Sequence, residues 1–160
     1  MADRTRPDEQ RDTGAFLTAF DAFAQAVRRA RGAPAQGPEE ALTLSQYALL
    51  QGLSERSEAR VVELASAAGV TPPTATRILD ALERRGIVER RRVPEDRRGV
   101  TITLTPSGSE LLAVQHTWLR ARQESFYDAL PAGERDVAAD LLLRLAELID
   151  ELAGGPAAAR

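Results

Sequence analysis

The sequence predicts a mainly α-helical, α+β fold with one small β-hairpin in a chain of 160 residues. Through most of the chain, apolar residues recur at the three- and four-residue spacing of amphipathic helices. Residues 87–105 instead alternate apolar and polar side chains on both sides of a polar tip, which is typical of two paired strands. No apolar run is long enough and free enough of charge to span a bilayer.

Composition excludes several classes of function. The chain has no cysteine, which removes disulfides, thiolate catalysis and sulfur-ligated metal sites. Its only histidine is His116, on which a catalytic triad or a transition-metal site would have to depend. We therefore expect no enzyme, no metal and no cofactor. The N-terminus lacks the apolar segment of a signal peptide, so we also expect a cytoplasmic protein without a membrane partner.

The distribution of charge points to nucleic acid although the net charge is −3. Residues 71–105 carry eight arginines against five acidic residues, whereas the segments before and after this block are both acidic. A local basic block of this kind attracts a phosphate backbone.

The first helix follows a charged N-terminal segment. Residues 1–13 alternate arginine with acids and predict a disordered arm. Within residues 14–40, helical spacing produces an apolar stripe that Gly32 ends. The members of this stripe are Phe16, Phe20, Phe23 and Val27. A second helix begins after Thr43, a residue suited to the N-cap position.

Residues 61–86 predict two short helices joined by a tight turn at Gly69. Thr71 occupies an N-cap position and Pro72 the first helical position, where a missing N–H costs nothing. Leu64, Ile78 and Leu82 would fill the space between the helices. This arrangement is a helix-turn-helix.

A hairpin follows directly. Gly86 has the position of a helix-ending glycine, and the stretches "IVERRR" and "GVTITLT" predict two strands around the tip "VPEDR". A hairpin in this place is a wing, and residues 41–105 therefore predict a winged helix-turn-helix DNA-binding domain. The arginines of the wing are Arg90, Arg91, Arg92, Arg97 and Arg98.

Two further helices complete the chain. Thr105 is suited to cap the first of them, with Pro106 at its first position. After Pro131, a second apolar stripe has the spacing for helix packing. Its members include Leu141, Leu145, Leu148 and Leu152. We assign residues 106–153 to these two helices and residues 154–160 to a flexible tail.

The stretches "TRILDALERRGIVER" and "DRRGVTITLT" resemble the recognition helix and wing of the MarR family of winged-helix transcription regulators, over roughly residues 14–152. The resemblance implies a homodimer that binds double-stranded DNA, with residues 14–40 and 106–153 as dimerisation helices and the two apolar stripes as interface. It implies a repressor that binds a pseudo-palindromic operator. A small aromatic or phenolic effector would release this repressor from the DNA. Val61 and Val62 stand where the family usually has a threonine cap.

The same resemblance assigns candidate site residues. The recognition helix would contact DNA through Thr71, Pro72, Pro73, Thr74, Thr76 and Arg77. The wing would contribute Arg92, Asp96, Arg97 and Arg98, with Arg98 in the minor groove and Asp96 orienting the arginines. Further phosphate contacts would come from Arg84, Arg85 and Arg90. Candidates for contact with an effector are Tyr47, His116 and Trp118.

Alternatives stay open at this point. The wing arginines would also suit a solvated hairpin that protects a sheet edge. Arg77 has Asp80 one turn away as an intramolecular partner. Tyr47, His116 and Trp118 would serve equally well as helix-packing residues. The competing function is a protein-binding winged helix, or a non-specific architectural DNA-binding module, without an effector.

Overall fold

The computed structural model describes residues 6–33, 41–54, 56–92, 100–152 and 154. Within these ranges the chain forms six helices and two strands, which agrees with the predicted mainly α-helical fold with a small β-wing. In chain order they are α1 (Arg6–Gly32), α2 (Leu44–Ser54), α3 (Val61–Ala67), α4 (Pro72–Arg84), β1 (Val88–Arg92), β2 (Val100–Leu104), α5 (Pro106–Ala129) and α6 (Ala132–Leu152).

The first helix starts earlier than the sequence predicts. We expected an arm over residues 1–13, but α1 begins at Arg6, and only residues 1–5 of that segment lie outside the described residues. Proline and acidic residues are favoured in a first helical turn, because the free N–H groups there need no proline donor and attract negative charge. Pro7, Asp8 and Glu9 supply these residue types. High charge alone therefore did not indicate an arm.

The chain divides into two compact units, residues 1–116 and residues 117–160. The described core of the first unit lies between Leu42 and Leu112, and it includes no residue of α1. Leucines of α2, α3 and α4 provide most of its volume, together with Ile102 of β2. Most residues of the described core therefore belong to the predicted winged helix-turn-helix.

The helix-turn-helix is closed by local hydrogen bonds. Gly69 takes a left-handed conformation (φ 62°), and the N–H groups of Gly69 and Val70 donate to the carbonyls of Ser66 and Ala65 at 3.1 and 3.0 Å. This pair of bonds is a Schellman motif, which ends α3. At its other end, α3 has no threonine cap. The Glu63 carboxylate accepts the N–H of Arg60 at 2.7 Å instead.

The wing begins with a second Schellman motif. Gly86 (φ 70°) and Ile87 donate to the carbonyls of Glu83 and Leu82 at 2.9 and 3.0 Å, as the predicted helix-ending glycine requires. β1 and β2 then pair antiparallel from Val88↔Leu104 to Arg92↔Val100.

The wing has a third participant that the sequence did not indicate. Ala59, in the segment before α3, forms a bridge to Ile102 of β2 with N···O distances of 3.1 and 2.8 Å. The Thr101 hydroxyl donates to Glu58 of the same segment at 2.9 Å. β2 is therefore held on both edges, by β1 and by the residues that lead into α3.

Thr105 joins the recognition-helix end, the wing and α5. Its hydroxyl donates to the Gly86 carbonyl at 2.6 Å and accepts the N–H of Gly108 at 3.0 Å, which confirms the predicted cap. Gly108 lies so close to the Ile87 backbone that an added Cβ would stand 2.0 Å from the Ile87 carbonyl oxygen. Only glycine fits this contact without a shift of α5.

The start of α2 is fixed by two amide side chains. Thr43 and Gln46 form a capping box, with the Thr43 N–H donating to Gln46 Oε1 at 2.9 Å and the Gln46 N–H donating to Thr43 Oγ1 at 3.2 Å. Gln115 of α5 is only 2% exposed, and its Oε1 accepts the buried N–H of Leu42 at 3.2 Å. α5 therefore completes the core that α2 begins.

In the second unit, a short connection joins the end of α5 to α6. Arg135 closes this connection by donating to the carbonyls of Asp128 and Leu130, the latter at 2.9 Å, while its guanidinium lies 5.6 Å from the Tyr127 ring. Gly154 (φ 73°) follows α6 in the conformation of a helix-ending glycine. Among the described helices, none combines the length and the hydropathy of a membrane span.

We expect Gly108→Ala to lower the free energy of unfolding by about 1 to 3 kcal/mol, because the methyl group would overlap the Ile87 carbonyl. The measurement is urea denaturation of both proteins. Gly133→Ala is the matched control, since a Cβ at Gly133 of α6 meets nothing within 4 Å. Equal stability of the two variants would contradict the close contact.

Candidate nucleic-acid interface

The two faces of α4 have opposite character. Ala75, Leu79 and Leu82 are fully buried and face the core. The other side of its first turns is exposed, at Pro72, Pro73, Thr76 and Arg77. A helix held on one side and exposed at its N-terminal end has the form in which a recognition helix presents side chains to base edges.

The hydroxyl groups at this end of α4 already have partners. Thr71 and Thr74 share a hydrogen bond between their Oγ1 atoms at 3.0 Å, and Thr76 donates to the Pro72 carbonyl at 3.0 Å. Thr71 is the N-cap residue, as expected, but its side chain makes no capping bond to the helix backbone. The exposed surface here consists of proline rings, the side chain of Thr76 and the guanidinium of Arg77.

Arg77 makes no ion pair with any residue that the structure describes. The sequence offered Asp80, one turn along α4, as its partner. The structure pairs Asp80 with Arg90 of β1 instead. This pairing leaves Arg77 exposed on the surface of α4, beside Thr76.

Arg90 has a different environment from the one expected of a phosphate contact. One of its terminal nitrogens donates to Asp80 and the other to Glu83, and its side chain is only 29% exposed. The hydrogen bond to Asp80 raises the pKa of the guanidinium above its ordinary value, and the charges of Glu83 and Asp80 act in the same direction against partial desolvation. Arg90 therefore joins α4 to β1, and two carboxylates of α4 already occupy the guanidinium that was predicted to contact phosphate.

The remaining arginines of β1 differ from each other. Arg91 donates to the carboxylate of Glu89, which also accepts the Thr103 hydroxyl at 3.2 Å. Arg92 is exposed at the end of the strand, and no described residue pairs with it. Asp96, Arg97 and Arg98 lie outside the described residues.

Comparison with known proteins identifies the family. The profile of the MarR family matches residues 42–100, the segment that contains most of the described core. An uncharacterised HTH-type transcriptional regulator of Mycobacterium leprae is 34% identical over 139 residues, which are 83% of this chain and 93% of that protein. The chain belongs to the MarR family.

Solved structures of MarR proteins agree with this fold. A MarR family transcription regulator superposes with a TM-score of 0.77 and 27% identity, covering 91% of this chain and 97% of the other. A MarR variant from Escherichia coli in complex with operator DNA superposes with a TM-score of 0.56 and 28% identity, covering 65% and 75%. As a member of the MarR family, the present chain is a transcriptional regulator that binds DNA, and it is not an enzyme.

Other candidate residues of this MarR protein lie away from the first turns of α4. Arg84 and Arg85 are exposed at its C-terminal end. Tyr47 of α2 and His116 of α5 are brought together, with Tyr47 Oη 2.8 Å from His116 Nδ1 and the rings stacked at 6.5 Å between centroids. Trp118 belongs to the second unit, where Arg122 lies 5.6 Å from its ring. The sequence had left each of these aromatic residues open between packing and effector binding.

We expect Arg77→Ala to weaken binding to the preferred DNA sequence by about 1 to 3 kcal/mol and to relax the preference at one base pair, since a bidentate arginine contact is lost. Fluorescence anisotropy with the preferred duplex and its single-base variants measures both effects. Arg120→Ala, which removes an equal charge from an exposed position in the second unit, is the control. A uniform loss across all duplexes would instead indicate a phosphate contact.

Proposed function

We propose that this MarR protein is a dimeric, sequence-specific repressor whose two copies of α4 enter successive major grooves of a pseudo-palindromic operator. The observation that supports the proposal most strongly is the exposed Arg77, which has no ion pair with a described residue and lies on the first turns of a helix whose opposite face is buried. As a regulator of the bacterial type, the protein would act in the cytoplasm.

Apolar side chains on α1 and α6 support a homodimer. Phe16 and Phe23 of α1 are both 48% exposed, and Leu141 of α6 is 47% exposed. α6 has no buried residue among those described, although its stripe of leucines continues to Leu152. Exposed apolar stripes of this kind are costly in water and are typical of helix faces that a partner covers. The predicted interface consists of Phe16, Phe20, Phe23, Val27, Leu141, Leu145, Leu148 and Leu152.

A twofold dimer imposes a twofold operator. Recognition helices related by such an axis would contact half-sites about 34 to 36 Å apart, one helical turn of DNA. A protein that covers this length of a promoter excludes other proteins from it, so repression is the simplest outcome. A relative from Escherichia coli that is 33% identical over 122 residues is named a transcriptional repressor, which favours the same role.

Phosphate and minor-groove contacts would complete the interface. Arg84 and Arg85 stand at the end of α4, where they would reach the DNA backbone. Arg92 is exposed on β1 and has no ion pair among the described residues, and we propose that Arg97 and Arg98, oriented by Asp96, extend the wing into the minor groove. Thr71, Pro72, Pro73, Thr74 and Thr76 would form the apolar and hydroxyl part of the major-groove surface.

We also propose that a small aromatic or phenolic molecule releases the operator. Tyr47, His116 and Trp118 are the candidate contacts, and the first two already form a hydrogen-bonded, stacked pair. A ligand that binds the DNA-incompetent state about 1 to 3 kcal/mol more tightly would lower operator affinity roughly 5- to 150-fold. That range is sufficient to switch a gene.

The test is selection of bound duplexes from a random library by the purified protein at two salt concentrations. A palindrome with half-sites one helical turn apart is the expected result. Recovery of salt-sensitive, sequence-blind binding alone would contradict the repressor and indicate an architectural module. Absence of any bound DNA would indicate a winged helix that binds proteins.

We expect Arg98→Ala to weaken operator binding and to lower the slope of log affinity against log salt by about one, because one phosphate-neutralising charge is lost. Anisotropy titrations at several salt concentrations measure the slope, with Arg120→Ala as the control. An unchanged affinity and slope would remove Arg98 from the DNA interface.

We expect Leu145→Asp to abolish the dimer, since it places an unpaired charge in a desolvated apolar interface. Leu143→Asp is the matched control, because residue 143 lies on the opposite side of α6 from the stripe and is 66% exposed. Light scattering gives the mass of each variant. A stable Leu145→Asp dimer would show that the interface lies elsewhere.

A further inference from the structure

One arginine connects the recognition helix to the wing. Asp80 and Glu83 lie one turn apart on α4, and Arg90 of β1 binds both through separate nitrogens. Strand alternation puts Arg90 on the same face of the hairpin as the buried Val88 and the exposed Arg92. We call Asp80, Glu83 and Arg90 the helix–wing clamp.

The clamp fixes both distance and direction. A guanidinium is planar and presents its donors in a rigid fork, so two carboxylates at its two ends determine its orientation. Those carboxylates belong to successive turns of α4. They therefore fix both the position of the strand that carries Arg90 along the helix axis and its distance from the helix. Arg92, two residues farther along β1, takes its position from the same strand.

The clamp also places two negative charges next to the proposed DNA surface. Thr76, Asp80 and Glu83 follow one another at helical spacing, and Arg77 lies beside this row. Unpaired carboxylates at these positions would repel phosphates. Electrostatics alone therefore predicts that removal of both acids strengthens DNA binding.

We propose that the helix–wing clamp is a positioning device that sets the wing at the angle to α4 needed for simultaneous contact with a major and a minor groove. This inference rests on the proposed DNA-binding function. The clamp acts through Arg77 on the helix and the arginines of the wing, and its own residues need not touch DNA.

The double substitution Asp80→Asn with Glu83→Gln distinguishes a positioning role of the clamp from a purely electrostatic one. The two roles predict changes in operator affinity of opposite sign. If the clamp positions the wing, affinity for the selected operator falls roughly fivefold or more, the lower range for one lost arginine contact. If Arg90 is instead a direct phosphate contact held back by two acids, its release raises affinity. Glu89→Gln, which removes an acid beside Arg91 on the opposite face of β1, is the control and should not weaken binding.

Arg90→Lys is the second variant, and it keeps the charge while losing the fork. We expect it to bind operator as weakly as the double variant, since an ammonium group provides a point charge without fixed direction. Wild-type affinity in Arg90→Lys would overturn the proposal. Thermal unfolding of each variant identifies any loss that comes from an unfolded protein.

A double-mutant cycle with Arg98→Ala reports on the wing itself. If the clamp sets the wing, Arg98→Ala costs much less affinity in the double variant than in the wild type. Additive effects would mean that the clamp only stabilises the fold, which would overturn the proposal.

Hydrogen exchange of the free protein separates this inference from the proposed function. With the clamp removed, amides of β1 should exchange faster while those near Leu79 in the buried face of α4 stay protected. If the wild type selects no operator, the proposed function fails, and exchange then decides whether the clamp orders the wing. Unchanged exchange in β1 would overturn the clamp in either case.

Discussion

The proposed DNA-binding surface depends on the burial of one face of α4. Ala75, Leu79 and Leu82 are completely removed from water, and each buried leucine contributes about 1.5 to 3 kcal/mol. Ala65 of α3 and Ala75 of α4 are small, so the two helices can approach closely. Because this face holds the helix in place, the residues on its outer side are free to serve recognition.

Ion pairs within this protein neutralise some of the arginines in its basic block. Eight arginines in residues 71–105 suggest a broad cationic surface. Two of the three arginines of β1 are already bound to carboxylates, Arg90 between two elements and Arg91 within its own strand. Arg77 and Arg92 are exposed and unpaired among the described residues. Among the described residues, fewer arginines of this block are therefore available to a phosphate backbone than the composition implies.

Local signals allowed much of this fold to be predicted. The N-caps at Thr43 and Thr105 and the helix-ending glycine at Gly86 depend on residues close in sequence, and the structure has all three. Thr71 takes the predicted N-cap position, but its side chain makes no capping bond. The predicted start of α1 was wrong, because charge composition says little about a helix whose first turn favours proline and acidic residues.

The interactions that sequence could not provide are those between distant residues. Alternation places Arg90 beside the buried Val88, which signals an inward side chain, but it does not identify Asp80 and Glu83 as its partners. The bridge from Ala59 to Ile102 and the bond from Leu42 to Gln115 likewise join segments with no shared pattern. The candidate wing residues from Asp96 to Arg98 stay predictions, since they lie outside the described residues.

The bond between Leu42 and Gln115 also bears on how the protein is made. It joins residues 73 positions apart, so the buried N–H of Leu42, just before α2, finds its acceptor only after α5 has formed. During synthesis, helices α2 to α4 leave the ribosome before the residue that completes their core. A nascent chain that stops within the family-matched segment would expose the N–H of Leu42 and the apolar surface around it. Ribosomal pausing before residue 115 would thus prolong a state open to proteases and chaperones.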